Sequence, residues 1–286
     1  MTTEAGSGPA RLEVRGLEVV FGGVRAVDGV SMDVAPGTIV GLIGANGSGK
    51  TTLLDAVSGL VPLAGGTVTI DGEDVADLLP EERATLGIVR SFQEARLFPE
   101  LTVEDALLVT VDGRGQSDVV STTLQLPWAR RSERDKRRAV AEVLGSFRLE
   151  RFRLHQIAQL STGTRRMVDL ASIVLAGPRL LLLDEPTAGI AQREAEAFVP
   201  LLRRLQAVTG ATVLLVEHDV PLVFELCHTV VVMQAGTIVS SGPAEVVRRD
   251  PRALEAYLGA SEEALLASGP LASAPPGDQR GGLAGP

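Results

Sequence analysis

The sequence has little of several residue types: it contains one cysteine, one tryptophan and one tyrosine, and aromatic residues make up only 3% of its 286 positions. Because Cys227 is the single cysteine, an intramolecular disulfide is excluded, and this usage is typical of a reducing compartment. No apolar run reaches the roughly 18 to 20 residues that a membrane-spanning helix needs. The opening residues MTTEAGSGPA also lack the basic and apolar regions of a secretory signal. We therefore expect a cytoplasmic chain, which can still dock on a membrane partner.

An excess of basic charge is also lacking. The chain has 27 lysine and arginine residues against 36 aspartate and glutamate residues, a formal net charge of −9. General nucleic-acid binders are usually basic, so no nucleic-acid partner is expected. Hydrophobic residues at 45% and charged residues at 22% are typical of a folded globular protein, which excludes wholesale disorder.

Although the net charge of the chain is negative, it contains one local cluster of basic residues. Its members are Arg130, Arg131, Arg134, Lys136, Arg137 and Arg138. It could contact nucleic acid or lipid headgroups, or it could be a solvated helix face. The second interpretation is favoured because Glu133 stands four residues before Arg137 and aromatic residues are scarce in the cluster.

Short aliphatic runs recur along the chain and alternate with stretches of helical periodicity. The runs TIVGLIG, LLLLD and TVLLVE are continuous, like strands buried on both faces of a parallel sheet, whereas LEVRGLEVVF alternates like a half-buried strand. The dipeptide Ala235-Gly236 predicts the turn of a hairpin. Helices are predicted over residues 50–58, 165–176 and 193–207. This alternation predicts a layered α/β core with right-handed crossovers.

Three stretches differ from this alternation. Residues 1–10 and 261–286 are rich in small residues and proline, and we expect a flexible N-terminal tail and a largely disordered C-terminal tail. The domain between them spans residues 11–260. Helical periodicity and turn signals predict a helical subdomain inserted at about residues 101–178.

The sharpest motif is a glycine-rich loop that opens a predicted helix. It fits the pattern G-x-x-x-x-G-K-[ST] completely and is formed by Gly44, Ala45, Asn46, Gly47, Ser48, Gly49, Lys50, Thr51 and Thr52. An apolar strand enters the loop and a helix leaves it, which is the context in which backbone N–H groups and a helix N-terminus bind phosphate. A glycine-rich turn with a chance lysine is the alternative, and the flanking elements argue against it. Lys50 is placed to reach the β- and γ-phosphates, and the Thr51 hydroxyl can bind Mg²⁺.

A second candidate element is the aliphatic strand that ends in Asp184 and Glu185. Ligands of open α/β sheets bind at the carboxyl edge of the strands. Asp184 is placed to support Mg²⁺, and Glu185 to orient or deprotonate the attacking water. An apolar strand that ends in acids is common by itself, but together with the phosphate loop it indicates a phosphoryl-transfer site.

With these motifs the chain resembles the ATP-binding subunits of ABC transporters over roughly residues 11–260. The resemblance implies an α/β fold: a P-loop NTPase core with an antiparallel β subdomain and an inserted helical subdomain. It implies ATP and Mg²⁺ as ligands and ATP hydrolysis as the activity.

The resemblance also implies roles for individual residues. Phe21 stands where an aromatic side chain stacks on adenine. Gln93 stands where a glutamine senses Mg²⁺ and faces the permease. His218 stands where a histidine stabilises the γ-phosphate or positions the water, and it joins Glu185 and Lys50 as an expected catalytic residue.

The segment LSTGT corresponds to the signature sequence of the family, and its expected ligand residues are Ser161, Thr162, Gly163 and Thr164. They are implied to cap ATP that is held by the phosphate loop of a second subunit. Thr162 and Thr164 replace the usual Gly and Gln, and Thr162 is bulkier than Gly where the helix approaches the γ-phosphate. Residues 187–191 correspond to the dimer-contact loop, and Ala191 stands where Asp is common. Because that loop joins the two ATP sites, this departure bears on coupling between the sites more than on hydrolysis.

Within the family, the segments FGGVRAVDGVS, RSFQEARLFPELTVEDAL and PAEVVRRDPRALEAYLG resemble branched-chain amino-acid importers, and the lipopolysaccharide-export ATPase is similar over the same stretch. Import implies permease subunits, a second ATP-binding subunit of the same or a different kind, a solute-binding protein, and a location on the inner face of the cell membrane. Candidates for an apolar surface that faces the permease are Phe92, Leu97, Phe98 and Leu101. Ordinary core packing is the alternative for each of them.

Two other functions stay open as alternatives. Soluble ABC ATPases that act on ribosomes or DNA usually carry paired modules or a long coiled coil, and this sequence has one set of motifs and no heptad run. A GTPase or kinase of another P-loop family is the second alternative. It is disfavoured because such a protein does not need the signature segment, and because the guanine-reading pattern N-K-x-D is missing from the sequence.

Overall fold

The fold is built around two β-sheets. A computed structural model describes residues 8–91, 98–112, 127–188 and 192–258. The strands are β1 (Leu12–Phe21), β2 (Val24–Val34), β3 (Ile39–Gly44), β4 (Gly65–Ile70), β5 (Glu73–Asp74), β6 (Ile88–Ser91), β7 (Leu180–Asp184), β8 (Thr212–Val216), β9 (Thr229–Gln234) and β10 (Thr237–Pro243). The helices are α1 (Lys50–Ser58), α2 (Pro80–Thr85), α3 (Val103–Asp112), α4 (Pro127–Phe147), α5 (Thr162–Ala176), α6 (Gln192–Thr209), α7 (Val220–Leu226), α8 (Ala244–Val247) and α9 (Pro251–Leu258).

The larger sheet has the strand order β10-β9-β3-β8-β7-β6. Its strands are parallel except β10, which forms an antiparallel hairpin with β9. Every residue of β7 and β8 is buried, which is why these strands are continuous aliphatic runs. Full burial of one leucine side chain stabilises the fold by about 2 kcal/mol. The strands predicted to be buried in a parallel sheet, and the predicted hairpin, are confirmed.

The smaller sheet is antiparallel, with the strand order β2-β1-β4-β5. Its longest strands alternate buried and exposed residues, so one face packs inward. That face shares a core cluster with Leu53 and Leu54 of α1 and with one face of the larger sheet. The helix that follows the phosphate loop is therefore anchored by both sheets.

Helices cover the opposite face of the larger sheet. There Leu181, Leu183 and Leu215 of β7 and β8 pack with Phe198 and Leu202 of α6 in a second core cluster. This cluster also takes in residues of α5, α7 and α9. Because alternate residues of each parallel strand point to opposite faces, the sheet needs two apolar layers to cover it.

A third core cluster holds the helices between β6 and β7 together. It combines Val103 and Leu107 of α3, Val140 and Leu144 of α4, and Val168 of α5. The element order matches the predicted inserted helical subdomain of the fold class. The boundaries at about residues 101–178 and the domain limits of 11–260 stay predictions.

Helix α4 carries the basic cluster. Arg137 Nε lies 2.9 Å from Glu133 Oε1, Arg138 Nε lies 2.9 Å from Glu142 Oε1, and Lys136 pairs with Asp112. These contacts favour a solvated helix face, with each exposed pair worth about 0.3–0.5 kcal/mol. Among the described residues, no helix combines the length and the hydropathy needed to cross a bilayer.

The apolar residues that follow Gln93 separate into two groups. Phe98 is 61% exposed, as expected for a docking surface. Leu101 instead packs against the third core cluster, which is the ordinary alternative. Phe92, Gln93 and Leu97 lie outside the described residues.

Candidate functional site

The phosphate loop connects the carboxyl end of β3 to the first turn of α1. Gly44 and Gly49 have φ of 152° and 100°, a region that L side chains rarely adopt. A Cβ on Gly44 would lie 2.2 Å from the backbone oxygen of Met233, and one on Gly49 would lie 2.4 Å from that of Ala26. The two glycines are therefore required by the close approach of β9 and β2, and they leave the curled backbone of the loop free to face a ligand.

Lys50 lies across this loop. It begins α1, is 5% exposed, and donates from Nζ to the backbone oxygens of Gly44 at 2.8 Å and Ala45 at 2.9 Å. Burial lowers the pKa of Lys50, and the nearby carboxylates of Glu185 and Asp184 oppose that shift. A bound polyanion would stabilise the charged ammonium in the same way.

Asp184 lies buried at the carboxyl end of β7. Its Oδ2 accepts a hydrogen bond of 3.0 Å from Nη2 of Arg90, whose Nη1 lies 2.5 Å from Oδ1 of Asp55. Burial raises the pKa of Asp184, while Arg90 lowers it. Among the described residues, Oδ1 of Asp184 has no hydrogen-bond partner. A buried acceptor without a hydrogen-bond partner can bind a ligand.

Glu185 follows directly and is held in an unusual backbone conformation. Its φ is 46°, which for a residue other than glycine costs about 1–3 kcal/mol and is concentrated at functional sites. Its backbone N–H donates to the oxygen of Val216 at 2.9 Å, next to the end of β8. Its Oε1 lies 2.6 Å from Nε2 of His218. Because an ionised carboxylate can only accept, Nε2 of His218 is the donor in that state.

The signature residues begin a different element. Ser161 is the N-cap of α5, and its Oγ accepts from the N–H of Thr164 at 3.3 Å and lies 2.9 Å from the Thr164 hydroxyl. Ser161, Thr162 and Gly163 are exposed, whereas the later turns of α5 are packed in the core. The helix therefore presents its first N–H groups and hydroxyls to solvent, an arrangement that favours anions.

Helix α5 also contacts the segment that follows Glu185. Arg166 donates from Nη2 to the backbone oxygen of Ala188 at 3.2 Å. One turn later, burial raises the pKa of Asp169 to about 6, and the charge of Arg166 opposes this shift. The signature helix is thus joined to the start of the predicted dimer-contact loop, of which residues 189–191 lie outside the described part of the chain.

The structure brings Lys50, Asp184, Glu185 and His218 together at the carboxyl edge of the larger sheet. Phe21 ends β1 with 48% of its surface exposed, so its ring can stack on a ligand. Gln93 cannot be placed, because it lies outside the described residues.

Sequence reasoning missed two charged residues of this region. Arg90 lies in β6, an edge strand of the larger sheet, and binds Asp184. Glu217 is 2% exposed and accepts hydrogen bonds from Thr187 and from the backbone of His218. The signal for Glu217 was present, because it ends the apolar run TVLLVE as Asp184 ends LLLLD.

Comparisons with known proteins identify the family. The family model described as ABC transporter matches residues 27–188. The high-affinity branched-chain amino acid transport ATP-binding protein BraF of Pseudomonas aeruginosa is 36% identical over 248 residues, which cover 87% of this chain and 97% of BraF. The corresponding protein LivG of Escherichia coli is 34% identical over 248 residues, with the same coverage of the two chains.

A solved structure of an ATP-binding cassette of an ABC transporter, in its ADP conformation, has a similar fold. The TM-score is 0.74 at 28% identity, and the match covers 87% of this chain and 99% of that cassette. The family and the fold class predicted from the motifs are confirmed by these matches. The chain therefore belongs to the ABC transporter family, as an ATP-binding subunit.

Proposed function

We propose that this chain hydrolyses ATP to energise a permease that imports branched-chain or other small amino acids or related solutes. The observation that carries the hydrolytic part is the 2.6 Å contact of Glu185 with His218 beside Lys50 and Asp184. The substrate class is supported by the 36% and 34% identity to BraF and LivG, whose names state branched-chain amino acid transport, over 97% of their lengths.

The triphosphate binds to the phosphate loop. Backbone N–H groups from Gly44 to Thr52 surround the β- and γ-phosphates, and the N-terminus of α1 adds partial positive charge. Lys50 moves its ammonium from the two loop carbonyls to the phosphate oxygens. The exposed ring of Phe21 stacks on the adenine.

The residues near the γ-phosphate fit Mg²⁺. The partnerless Oδ1 of Asp184 and the exposed hydroxyl of Thr51 are both hard oxygen donors, which this ion prefers. Gln93 is the third expected oxygen donor. When bound, the ion neutralises charge on the phosphate oxygens. Arg90 holds Asp184 in place through Oδ2 and leaves Oδ1 for the ion.

In the hydrolytic step, a water oxygen forms a bond to the γ-phosphorus while the bond to the ADP oxygen breaks. Glu185 accepts the proton that the water loses. His218 donates from Nε2 to Glu185 in the resting site, and this contact orients the carboxylate. During the reaction the same N–H is within reach of a γ-phosphate oxygen, where it stabilises developing negative charge. Lys50 stabilises the charge on the opposite side.

A second ATP-binding subunit completes the site. The exposed N-terminus of α5, from Ser161 to Gly163, caps ATP held by the phosphate loop of the other subunit. Thr164 bonds the Ser161 hydroxyl, so it orients the serine in the place where the family has Gln. ATP favours the closed pair because only the closed pair contacts it from both sides, and hydrolysis removes that preference.

The closed pair acts on a permease. The segment after β6, which contains Gln93 and ends near the exposed Phe98, is the docking surface for a short permease helix. The chain is then peripheral on the inner face of the cell membrane. A solute-binding protein delivers the amino acid on the outer side.

The test is transport by the complex that this chain forms in its own cells. The tagged chain is purified from membranes in mild detergent, and the permease that copurifies is reconstituted with it in vesicles together with the solute-binding protein. We expect ATP-dependent accumulation of labelled leucine, while a complex that carries Glu185→Gln accumulates none. Accumulation of an unrelated solute would contradict the substrate class.

Two other outcomes would contradict import altogether. Release of lipopolysaccharide from the vesicles would identify an exporter. Recovery of the chain with ribosomes, and with no multi-span membrane protein, would identify a soluble ATPase.

A further inference from the structure

Glu217 is a buried carboxylate placed between two segments of the active edge. It follows β8 directly and is 2% exposed. Its Oε1 accepts from the backbone N–H of Thr187 at 2.8 Å and from the Thr187 hydroxyl at 2.6 Å, and its Oε2 accepts from the N–H of His218 at 3.0 Å. Both carboxylate oxygens are therefore engaged by donors of fixed position.

These bonds join the same two segments that the expected catalytic pair joins. Glu185 and Thr187 lie on the turn after β7, while Glu217 and His218 lie after β8. Glu185 bonds His218 through its side chain and Val216 through its backbone N–H. The contact between Thr187 and Glu217 is thus a second bridge between these segments. Thr187 lies two residues after Glu185, and Glu217 lies one residue before His218.

The second bridge is the more strongly constrained of the two. The first involves side chains that are 17% and 43% exposed, where water competes for the same groups. Glu217 and Thr187 are 2% and 9% exposed. Hydrogen bonds to a charged group are stronger when water is excluded, and a buried carboxylate is costly unless its donors are in place. The buried bridge therefore constrains the separation of the two segments more tightly than the exposed pair does.

We propose that Glu217 is a positioning residue for ATP hydrolysis: it holds the backbone of His218 and the turn of Thr187 at the separation where His218 reaches Glu185. This inference rests on the proposed roles of Glu185 and His218. Thr187 also opens the segment expected to contact the second subunit, so Glu217 connects that segment to His218.

The main test is Glu217→Gln, which keeps the size of the side chain but exchanges one acceptor oxygen for an NH₂ donor. The new NH₂ group then faces either the N–H and hydroxyl of Thr187 or the backbone N–H of His218, where the carboxylate presented an acceptor. We expect kcat for ATP to fall about tenfold or more, because a hydrogen bond to a charged group is lost. KM should change less than about threefold, because the residue does not touch the nucleotide. Turnover is expressed per ATP-binding site, because a merely structural loss lowers the fraction of active protein and not the turnover of each site.

A second variant keeps the proposal testable if Glu217→Gln folds poorly. Thr187→Val removes only the hydroxyl and retains the backbone N–H bond, so we expect a smaller fall in kcat. Thr187→Ser restores the donor and should be clearly faster than Thr187→Val. In the double variant Glu217→Gln/Thr187→Val the two losses should not multiply, because both remove the same contact.

Thr212→Val is the matched control. Thr212 is fully buried at the other end of β8, where its hydroxyl bonds the backbone of Gly37 and Ala10. The loss of this buried hydroxyl should lower the melting temperature and leave kcat within about twofold of the parent. A fall in kcat as large as in Thr187→Val would overturn the proposal, because the effect would then follow from instability alone.

The outcomes separate this inference from the proposed function. If the Glu217→Gln protein folds and turns over at the parental rate while Glu185→Gln is inactive, the positioning role is wrong and the hydrolytic site stands. If Glu185→Gln itself turns over normally, the proposed role of Glu185 as the base is wrong, and the positioning role, which rests on it, is overturned with it.

Discussion

Glu185→Gln is expected to lower the steady-state rate of ATP hydrolysis by about a hundredfold or more. Gln cannot accept the proton of the attacking water, and loss of a general base typically costs two to four orders of magnitude. The substitution retains size and the acceptor oxygen that meets Nε2 of His218, so the site keeps its shape. ATP-dependent pairing of the subunits should therefore persist and become longer-lived. Phosphate release measures the rate of hydrolysis, and light scattering measures the pairing of the subunits.

The matched control for this change is Glu225→Gln. Glu225 is an exposed glutamate of α7 that pairs weakly with Arg203, so its loss should leave turnover within about twofold. Normal turnover in Glu185→Gln would contradict the assignment of the base. A loss of ATP-dependent pairing in that variant would contradict the claim that binding alone closes the pair.

Lys50→Ala is the second change with a large expected effect, a loss of ATP affinity by about a hundredfold. The buried ammonium donates to two loop carbonyls at 2.8 and 2.9 Å, and burial lowers its pKa against the opposing charges of Glu185 and Asp184, so a triphosphate adds countercharge that stabilises the ammonium. Two charge-assisted hydrogen bonds of about 1.5 kcal/mol each account for a loss of this size. Titration calorimetry with ATP measures it directly.

Lys136→Ala controls for the loss of a lysine, since Lys50 and Lys136 are the only lysines in the sequence. Lys136 pairs with Asp112 on the helical subdomain, away from the phosphate loop. ATP affinity should be unchanged in this variant. The scarcity of lysine permits an independent check by amine acylation, in which ATP should protect Lys50 and leave Lys136 reactive. Equal affinity in the two alanine variants would contradict the role of Lys50.

Residues that belong to a contiguous motif or a continuous apolar run could be predicted from the sequence. The phosphate loop is contiguous, and the buried strands β7 and β8 are recognisable because both of their faces need aliphatic residues. Helix α5 begins at Thr162, three residues before its predicted start, because the Ser161 hydroxyl caps it. Serine is a typical N-cap residue, but from the sequence we interpret Ser161 only as part of the signature.

Residues whose role depends on a contact across the sheet could not be predicted in this way. Arg90 and Asp184 are 94 residues apart and meet because β6 pairs with β7. Thr187 and Glu217 are 30 residues apart and meet because β7 pairs with β8. In a parallel sheet the partner of a strand is separated by a whole crossover, so no local pattern reports which polar groups meet at its edge. The left-handed backbone of Glu185 likewise depends on its bond to Val216.

We place ATP between the phosphate loop of one subunit and the Ser161–Gly163 turn of another. Asn46 and Ser161 are both exposed, so cysteines placed there can be crosslinked by a short bis-maleimide. The native Cys227 is buried, with its thiol pKa raised to about 12 by burial, so it does not compete.

The measurement mixes two single variants, Asn46→Cys and Ser161→Cys, each in the Glu185→Gln chain, so that any bond between positions 46 and 161 joins two subunits. We expect a crosslinked dimer that forms with ATP and not with ADP or without nucleotide. Asn46→Cys mixed with Val246→Cys, an exposed position near the C-terminus, should give none. A yield from the 46 and 161 pair that is the same with and without ATP would show that ATP does not bring the phosphate loop and the Ser161–Gly163 turn of two subunits together.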